Sequence, residues 1–331
     1  MNELINTKQQ DSMTAWYAVF VLLLAYVLSF VDRIILSLLV TPIKEDLGTT
    51  DAQMGLLMGF AFAIFYTLAG IPIAKYSDVK SRKMIIAIGI FLWSIMTAVC
   101  GLARSFFQLF LARVGVGVGE AALTPAAYSM ISDYFSEEKL GRAMAVYKSG
   151  AMFGGGLAFI IGGAVVGYVV NSDSIILPVL GELKPWQMAF IIVGLPGVLI
   201  GLLMLTVKEP SRTGVADTLD KKVSISDAIK YMQKRWRVYL FIFLGFAFMA
   251  APISSALTWI PVYLQRIHEM SIPESGRTLG IIIFFLSSSG VLFSGWLIDT
   301  FKKRGYQDSY FKVALIICLV SLPIIYYAMN D

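Results

Sequence analysis

Residues 74–83 read AKYSDVKSRK, and residues 295–304 read GWLIDTFKKR. Both stretches place a small residue four positions before an Asp and basic residues four and five positions after it. Each stretch follows an apolar run long enough to cross a bilayer, which is typical of a helix that ends at a membrane surface. Two copies with the same spacing, each behind the second apolar run of a group, indicate an internal repeat.

The composition places most of the chain in lipid. Hydrophobic residues make up 57% of the 331 residues and the mean hydropathy is +0.74, which is more apolar surface than a soluble domain of this length can hide. Nine stretches are long enough to cross a hydrocarbon core of about 30 Å. We predict spans at 15–41, 54–76, 84–103, 106–134, 142–170, 187–207, 237–264, 278–300 and 309–329. The fold class is therefore an all-α polytopic membrane protein.

The basic residues predict the topology. Of the 27 Lys and Arg residues, 19 lie in loops on the side of the N-terminus, 5 lie in loops on the other side and 3 lie within spans. Loops rich in Lys and Arg stay in the cytoplasm, so we expect a cytoplasmic N-terminus. The formal net charge of +5 needs no nucleic-acid partner.

Loop lengths divide the chain into three parts. We predict an N-terminal six-helix bundle at 1–207, a basic cytoplasmic linker at 208–236 and a partial C-terminal bundle of three helices at 237–331. The linker sets topology by its charge, and attraction to membrane lipid headgroups accompanies that role.

Five charged residues lie away from the ends of the predicted spans, where an unpaired charge costs a few kcal/mol or more. They are Asp32, Arg33, Arg113, Glu120 and Lys148. Arg113 and Glu120 are seven residues apart and share one helix face, and Asp32 lies at a depth between them. We expect an acid there to alternate between pairing with Arg113 and holding a proton. The alternative is a static network that only holds helices together.

Two further features have two interpretations each. Lys148 either contacts an anion in the cavity or extends to the cytoplasmic surface, and the second is slightly favoured. Trp259, Pro261 and Tyr263 either anchor the seventh span at the interface or form an outer gate that bends at Pro252 or Pro261.

Other chemistries lack the residues they need. There is no phosphate-binding loop with Lys, and His268, the single histidine, lies in a predicted loop. Cys100 and Cys318 lie within spans and suggest neither a disulfide nor a metal site. We expect no enzyme activity, no catalytic residue, no metal, no cofactor and no nucleic-acid partner.

These motifs resemble the major facilitator superfamily. Asp78, Arg82 and Lys83 match its loop between spans two and three, while Ala74 and Ser81 replace its usual glycines. The stretch RVGVGVGE at 113–120 is similar to its fourth helix. More narrowly, Asp32-Arg33, the run 113–125 and Trp259 to Pro261 resemble the bacterial spinster-like branch. The resemblance implies two inverted three-helix repeats in the first bundle, then the first three helices of a second.

The resemblance also implies a function and roles for residues. It implies a proton-coupled secondary transporter in the bacterial inner membrane that moves an amphipathic or anionic small molecule, such as a lysolipid, by alternating access. Sugar acids and other organic anions are the alternative substrates. The implied roles are proton coupling for Asp32 and Glu120, and contact with charge partners or the substrate anion for Arg33, Arg113 and Lys148. Asp78, Arg82, Lys83 and Asp299 would form a cytoplasmic gating motif.

Members of this family have twelve spans, and nine are predicted here. We therefore expect either a longer reading frame or second chain that supplies three helices, or a remnant that does not transport. A membrane receptor or structural protein is a third possibility, but it would not need the set of Asp32, Arg113 and Glu120.

Overall fold

A computed structural model describes residues 13–170, 175–177, 181–212, 225–306 and 308–330. The described part is almost entirely helical, and its helices follow one another up and down. They are α1 Met13–Leu38, α2 Val40–Leu47, α3 Asp51–Gly55, a π-helical turn Leu56–Phe60, α4 Ala61–Ser77, α5 Arg82–Cys100, α6 Phe106–Glu120, α7 Leu123–Tyr134, α8 Glu137–Val170, α9 Pro185–Thr206, α10 Ile225–Lys234, α11 Trp236–Ile267, α12 Ile272–Lys303 and α13 Ser309–Asn330.

Every predicted span coincides with a helix or with consecutive helices. Within the described residues, seven helices or helix runs are long and apolar enough to cross a membrane. Helices α12 and α13 coincide with the eighth and ninth predicted spans. The prediction of an all-α polytopic fold is confirmed.

Two elements were not predicted from the sequence. The loop at 171–185 contains a short antiparallel hairpin of β1 Ile175–Leu177 and β2 Gly181–Leu183, in which Ile176 pairs with Glu182. The predicted linker at 208–236 contains helix α10. Both elements lie outside the long apolar runs, where hydropathy alone carries no signal for secondary structure.

Two spans are broken by proline. Helix α1 ends at Leu38, and the chain resumes as α2 after Leu39. The second break separates α6 from α7, one residue beyond Glu120. Pro42 and Pro125 lie four residues after Leu38 and Ala121, and a proline ring clashes with the carbonyl four positions before it. The breaks therefore follow from the sequence, although the predicted spans ran through both.

Glycines bring three helices of the first bundle into close contact. A Cβ added at Gly119 of α6 would lie 2.9 Å from the carbonyl oxygen of Gly89 on α5. One added at Gly117 would lie 2.7 Å from the carbonyl oxygen of Phe62 on α4. Larger residues at these positions would force the helices apart. Helix α6 is therefore locked between α4 and α5, which fixes the direction in which its charged side chains point.

The first bundle meets the later helices along α8 and α12. Gly163 packs on the backbone of Gly276, and Gly156 packs on Gly280 and Phe284. We call the end of the molecule that carries Asp51 and Arg266 the Asp51 end. The opposite end, which carries Arg82 and residues 208–212, is the Arg82 end.

Candidate functional site

Asp32 and Arg33 are neighbours on α1 but face different surroundings. Successive residues on a helix point about 100° apart. Asp32 is completely buried on the side of α5 and α6, whereas the side chain of Arg33 is 32% exposed and borders a cavity. The pair therefore presents an acid to the bundle core and a cation to the cavity.

Arg33 forms an ion pair with Glu120. Its Nε and Nη2 atoms donate to Oε2 of Glu120 at 2.8 and 2.5 Å. Glu120 is 1% exposed, and the Arg33 guanidinium lies 4.5 Å from the centre of the Phe62 ring. Arg33 is thus held on one edge by a buried carboxylate and on one face by an aromatic ring, at the border of the cavity.

Arg113 contacts Asp32 through the backbone. Its Nη1 donates to the main-chain oxygen of Asp32 at 3.2 Å. Within the described residues the two carboxylate oxygens of Asp32 make no hydrogen bond of ordinary geometry, although the Thr97 hydroxyl and the Arg113 guanidinium lie close to them. The sequence suggested an ion pair between Asp32 and Arg113. In this structure the ion pair joins Arg33 and Glu120 instead.

The cavity beside Arg33 has a volume of about 480 Å³ and lies between the first bundle and helices α11 and α12. Its polar lining consists of Arg33 and hydroxyl side chains, namely Ser37, Ser254, Thr258 and Ser287. The rest of the lining is apolar and includes Met58, Phe159, Leu257 and Ile283. One cation in a mostly apolar chamber fits an anionic group that carries an apolar body.

A row of aromatic rings extends from Arg33 to Lys148. Phe30 lies 5.6 Å from the Arg33 guanidinium and 5.4 Å from Tyr26, whose ring stacks on Tyr147 at 4.9 Å. Tyr147 contacts Tyr128, and the Lys148 ammonium lies 5.6 Å from the Tyr128 ring. The ammonium of Lys148 is therefore placed against this row of aromatic side chains.

Charged residues join the two parts of the chain at the Asp51 end. Both guanidinium Nη atoms of Arg266 on α11 donate to the Asp51 carboxylate, at 3.0 and 2.8 Å, and Lys44 donates to the same group at 2.6 Å. Trp259 lies against Gly55, and Pro261 is buried. Tyr263, in contrast, is 49% exposed and contacts His268. Of the three residues of the predicted outer gate, Trp259 thus packs on the first bundle and Pro261 is buried, whereas Tyr263 is exposed.

Arg82 is the centre of a buried network at the other end. Its side chain donates to Asp133, to Ser129 Oγ at 3.0 Å and to the Pro210 carbonyl oxygen at 2.9 Å. Its backbone nitrogen donates to Glu209 at 2.8 Å. The network fastens the segment after α9 to the start of α5 and to α7.

Glu209 remains ionised within this network. Burial raises its pKa, but hydrogen bonds from the Ser81 hydroxyl and from Arg82 outweigh that effect and hold the pKa of this carboxyl below its usual range. Arg212 completes the attachment because it donates to the carbonyl oxygens of Ser77, Asp78 and Lys80, which end helix α4.

The other residues of the predicted gating motif are less enclosed. The Asp78 side chain is exposed, and only its main-chain oxygen takes part in the contacts above. Lys83 donates to the carbonyl oxygen of Leu205 at 3.2 Å. Asp299 belongs to helix α12, but its side chain lies outside the described part of the structure. The structure therefore brings Arg82 and Lys83 into one interface and leaves Asp78 at its edge.

Sequence reasoning missed several residues of the site. Phe62, Tyr26 and Thr97 were overlooked because an aromatic or Thr in an apolar span is usually a packing residue. Ser37, Ser254 and Thr258 gave a usable signal, since hydroxyl side chains interrupt apolar spans at those positions.

The fold has a close structural neighbour. A bacterial homologue of the human lysosomal transporter spinster, in an inward-facing and unoccupied conformation, matches with a TM-score of 0.75 and 32% sequence identity. The match covers 88% of this chain and 64% of that one. The chain thus spans slightly less than two thirds of the length of this neighbour.

Sequence relatives are also transporters. An MFS-type efflux pump of Mycolicibacterium smegmatis is 30% identical over 330 residues, covering 96% of this chain and 70% of the relative. The "Probable L-galactonate transporter" of Escherichia coli is 26% identical, with 87% and 62% covered. The sphingosine-1-phosphate transporter of Mus musculus is 28% identical, with 74% and 43% covered.

A family model supports the same assignment. Residues 22–330 match the Major Facilitator Superfamily, and the relatives above are transporters rather than enzymes. The chain belongs to the major facilitator superfamily, in its spinster-like branch, and is a multi-pass membrane protein.

Proposed function

We propose that the protein carries an amphipathic anion together with a proton, and that Arg33 couples the two. The observation that carries this proposal is the position of Arg33 between Glu120 and the cavity. Two of its donors are used by the Glu120 carboxylate. A substrate anion that needs the same donors competes with Glu120 as long as Glu120 is ionised.

A proton on Glu120 ends this competition. A neutral carboxyl holds a guanidinium less strongly than a carboxylate does, because charge-assisted hydrogen bonds are about twice as strong as neutral ones. Arg33 can then present a two-donor edge to a phosphate or carboxylate in the cavity. Protonation and anion binding therefore favour one another, and proton and anion move together.

Asp32 is proposed as a second proton carrier. An ionised carboxylate buried without donors costs several kcal/mol, so Asp32 either holds a proton or moves toward the nearby Arg113 or Thr97. Arg113 supports Asp32 from the backbone side in this arrangement.

The lining of the cavity favours a lipid-like substrate. Apolar side chains from α1, the π-helical turn, α8, α11 and α12 surround the Arg33 guanidinium, which suits a phosphate or carboxylate on one acyl or sphingoid chain. Sphingosine-1-phosphate, the substrate named for the Mus musculus relative, is a phosphate on a chain of this kind. Sugar acids are the second candidate, because the galactonate relative is similar and the hydroxyls of Ser37, Ser254 and Thr258 can bind a polyol.

Lys148 and the two ends of the bundle have proposed roles in this cycle. Lys148, beside Tyr128, would contact the anion between the Arg82 end and Arg33. The Asp51 to Arg266 pair would close one end, with Trp259 and Pro261, while the Arg82 network and Asp299 would act as the gating motif of the other. We propose that the Arg82 end is cytoplasmic, in a bacterial inner membrane, because most Lys and Arg lie there.

Equilibrium binding in lipid nanodiscs tests the proposal. Radiolabelled lysophosphatidate, with lysophosphatidylcholine and galactonate as competitors, should bind wild-type protein more tightly at pH 5.5 than at pH 8. Arg33→Gln should weaken lysophosphatidate binding at least tenfold, since a charge-assisted contact contributes about 1.5–3 kcal/mol. The double variant Arg33→Gln with Glu120→Gln is the control, because it removes the cation without leaving an unpaired buried carboxylate.

Two results would refute the assignment. Unchanged binding by the double variant would show that Arg33 does not contact the ligand. Displacement of lysophosphatidate by equal amounts of lysophosphatidylcholine would show that binding does not depend on the negative charge of the ligand. Preferential displacement by galactonate would support the sugar-acid alternative.

A further inference from the structure

Helix α10 has two opposite faces. At 100° per residue, Ile229 and Met232 lie on one side of α10. Lys230 and Lys234 lie on the other side. A short helix with an apolar face and a basic face is typical of helices that lie in a membrane surface.

The apolar face of α10 is largely exposed among the residues that the structure describes. Ile229 is 48% exposed, Met232 is 38% exposed and Trp236 is 56% exposed. The neighbouring cations are exposed as well, and Arg237 lies 5.7 Å from the Trp236 ring. These side chains are therefore directed away from the protein core.

The position of α10 places it at the edge of the hydrocarbon. Arg235 alone separates α10 from α11, which runs from Trp236 to Ile267 and is long and apolar enough to cross a membrane. Trp and Tyr are enriched at such boundaries, and here Trp236 lies at the boundary with Tyr231 one turn before Arg235, whose guanidinium is 5.0 Å from the Tyr231 ring. Helix α10 thus ends one residue before the span of α11 begins.

We propose that α10 and the first two residues of α11 form a binding surface for the headgroups of anionic lipids. The charges select this partner, because residues 225–237 contain four cations, Lys230, Lys234, Arg235 and Arg237, and one acid, Asp227. Each basic side chain near an anionic surface contributes about 1 kcal/mol, or roughly fivefold in affinity. The exposed apolar side chains are Ile229, Met232 and Trp236, and Trp236 begins the helix that crosses the bilayer. The surface of that bilayer is therefore the partner that covers them.

Fluorescence quenching in nanodiscs tests the inference. The full chain with Cys100→Ala, Cys318→Ala and Met232→Cys would carry an environment-sensitive fluorophore at 232, with a doxyl quencher at headgroup depth. Quenching should be stronger in discs of phosphatidylcholine and phosphatidylglycerol at 3:1 than in phosphatidylcholine alone. It should fall in 1 M salt, where the screening length is about 3 Å. Lys230→Gln, Lys234→Gln and Arg237→Gln together should lower the ratio of bound to free helix roughly a hundredfold.

A matched variant separates this surface from net charge. Lys75→Gln, Lys80→Gln and Arg142→Gln remove three exposed cations from the same end of the molecule but not from α10, and quenching should be unchanged. Equal quenching in both kinds of disc would overturn the proposal, as would an unaffected α10 triple variant. Quenching that requires two protein copies per disc would also overturn it and assign the face to a second copy of the chain.

Discussion

Replacing Glu120 with Gln tests the coupling between proton and anion most directly. Gln keeps the shape of the side chain and removes its charge. The wild-type carboxylate accepts two hydrogen bonds from Arg33, at 2.8 and 2.5 Å, and a substrate anion must displace it to use the same donors. In Glu120→Gln this displacement is easier at any pH.

The expected change in ligand affinity follows from the hydrogen bonds between Arg33 and Glu120. A hydrogen bond to a charged group contributes about 1.5–3 kcal/mol, and the 32% exposure of Arg33 favours the lower part of that range. About 1.5–2 kcal/mol corresponds to roughly 10- to 30-fold in affinity. Glu120→Gln should therefore bind lysophosphatidate about 10- to 30-fold more tightly than wild type at alkaline pH. The difference in affinity should disappear toward acid pH, where the Glu120 side chain of the wild type is protonated.

The assay is a binding titration in nanodiscs from pH 5.5 to 8.5. Glu120→Asp is the matched control, because it retains a titratable carboxylate and should retain a pH dependence. A pH gradient should no longer drive accumulation by Glu120→Gln, while exchange should persist. Weaker binding by Glu120→Gln, or a pH dependence equal to that of wild type, would refute the competition.

Three further predictions concern the two ends of the molecule. Asp51→Asn should raise labelling of cavity cysteines from the Asp51 end about two- to fivefold, since an exposed ion pair contributes about 0–1 kcal/mol. Glu209→Gln should lower the melting temperature of the purified protein at neutral pH, and the difference from wild type should be lost as the pH falls through the lowered pKa of Glu209, because that stabilisation requires the ionised carboxylate. A single cysteine at Lys80 should react with impermeant reagents only from the cytoplasmic side.

Each of these predictions has a control. Lys184→Gln breaks an ion pair with Asp46 that also lies at the Asp51 end but within the first bundle, and labelling should stay at the wild-type level. Asp78→Asn changes an exposed carboxylate beside the Arg82 network and should leave the melting temperature unchanged. Labelling of Lys80→Cys from outside intact cells would reverse the proposed orientation.

Much of the fold was predictable because a membrane-spanning helix is recognised from the hydropathy of its own residues. A span needs about 20 apolar residues whatever its neighbours are, so each predicted span coincides with one helix or with consecutive helical elements. Pro42 and Pro125 also contained the signal for the two helix breaks. Helix α10 escaped prediction because its short amphipathic pattern lies in a polar, basic stretch.

The sequence by itself determined which charges lie in the membrane and roughly how deep they are, because depth follows from the rise of 1.5 Å per residue. It did not determine which charges meet. Rotating α1 by one residue, about 100°, would change which of Asp32 and Arg33 lies beside Glu120. That rotation is decided by helix packing, including the close contacts of Gly150 and Gly154 on α8 with side chains of α1. Only the tertiary structure therefore decided that Arg33 pairs with Glu120 beside the cavity, because the direction in which a helix faces depends on contacts between residues far apart in the chain.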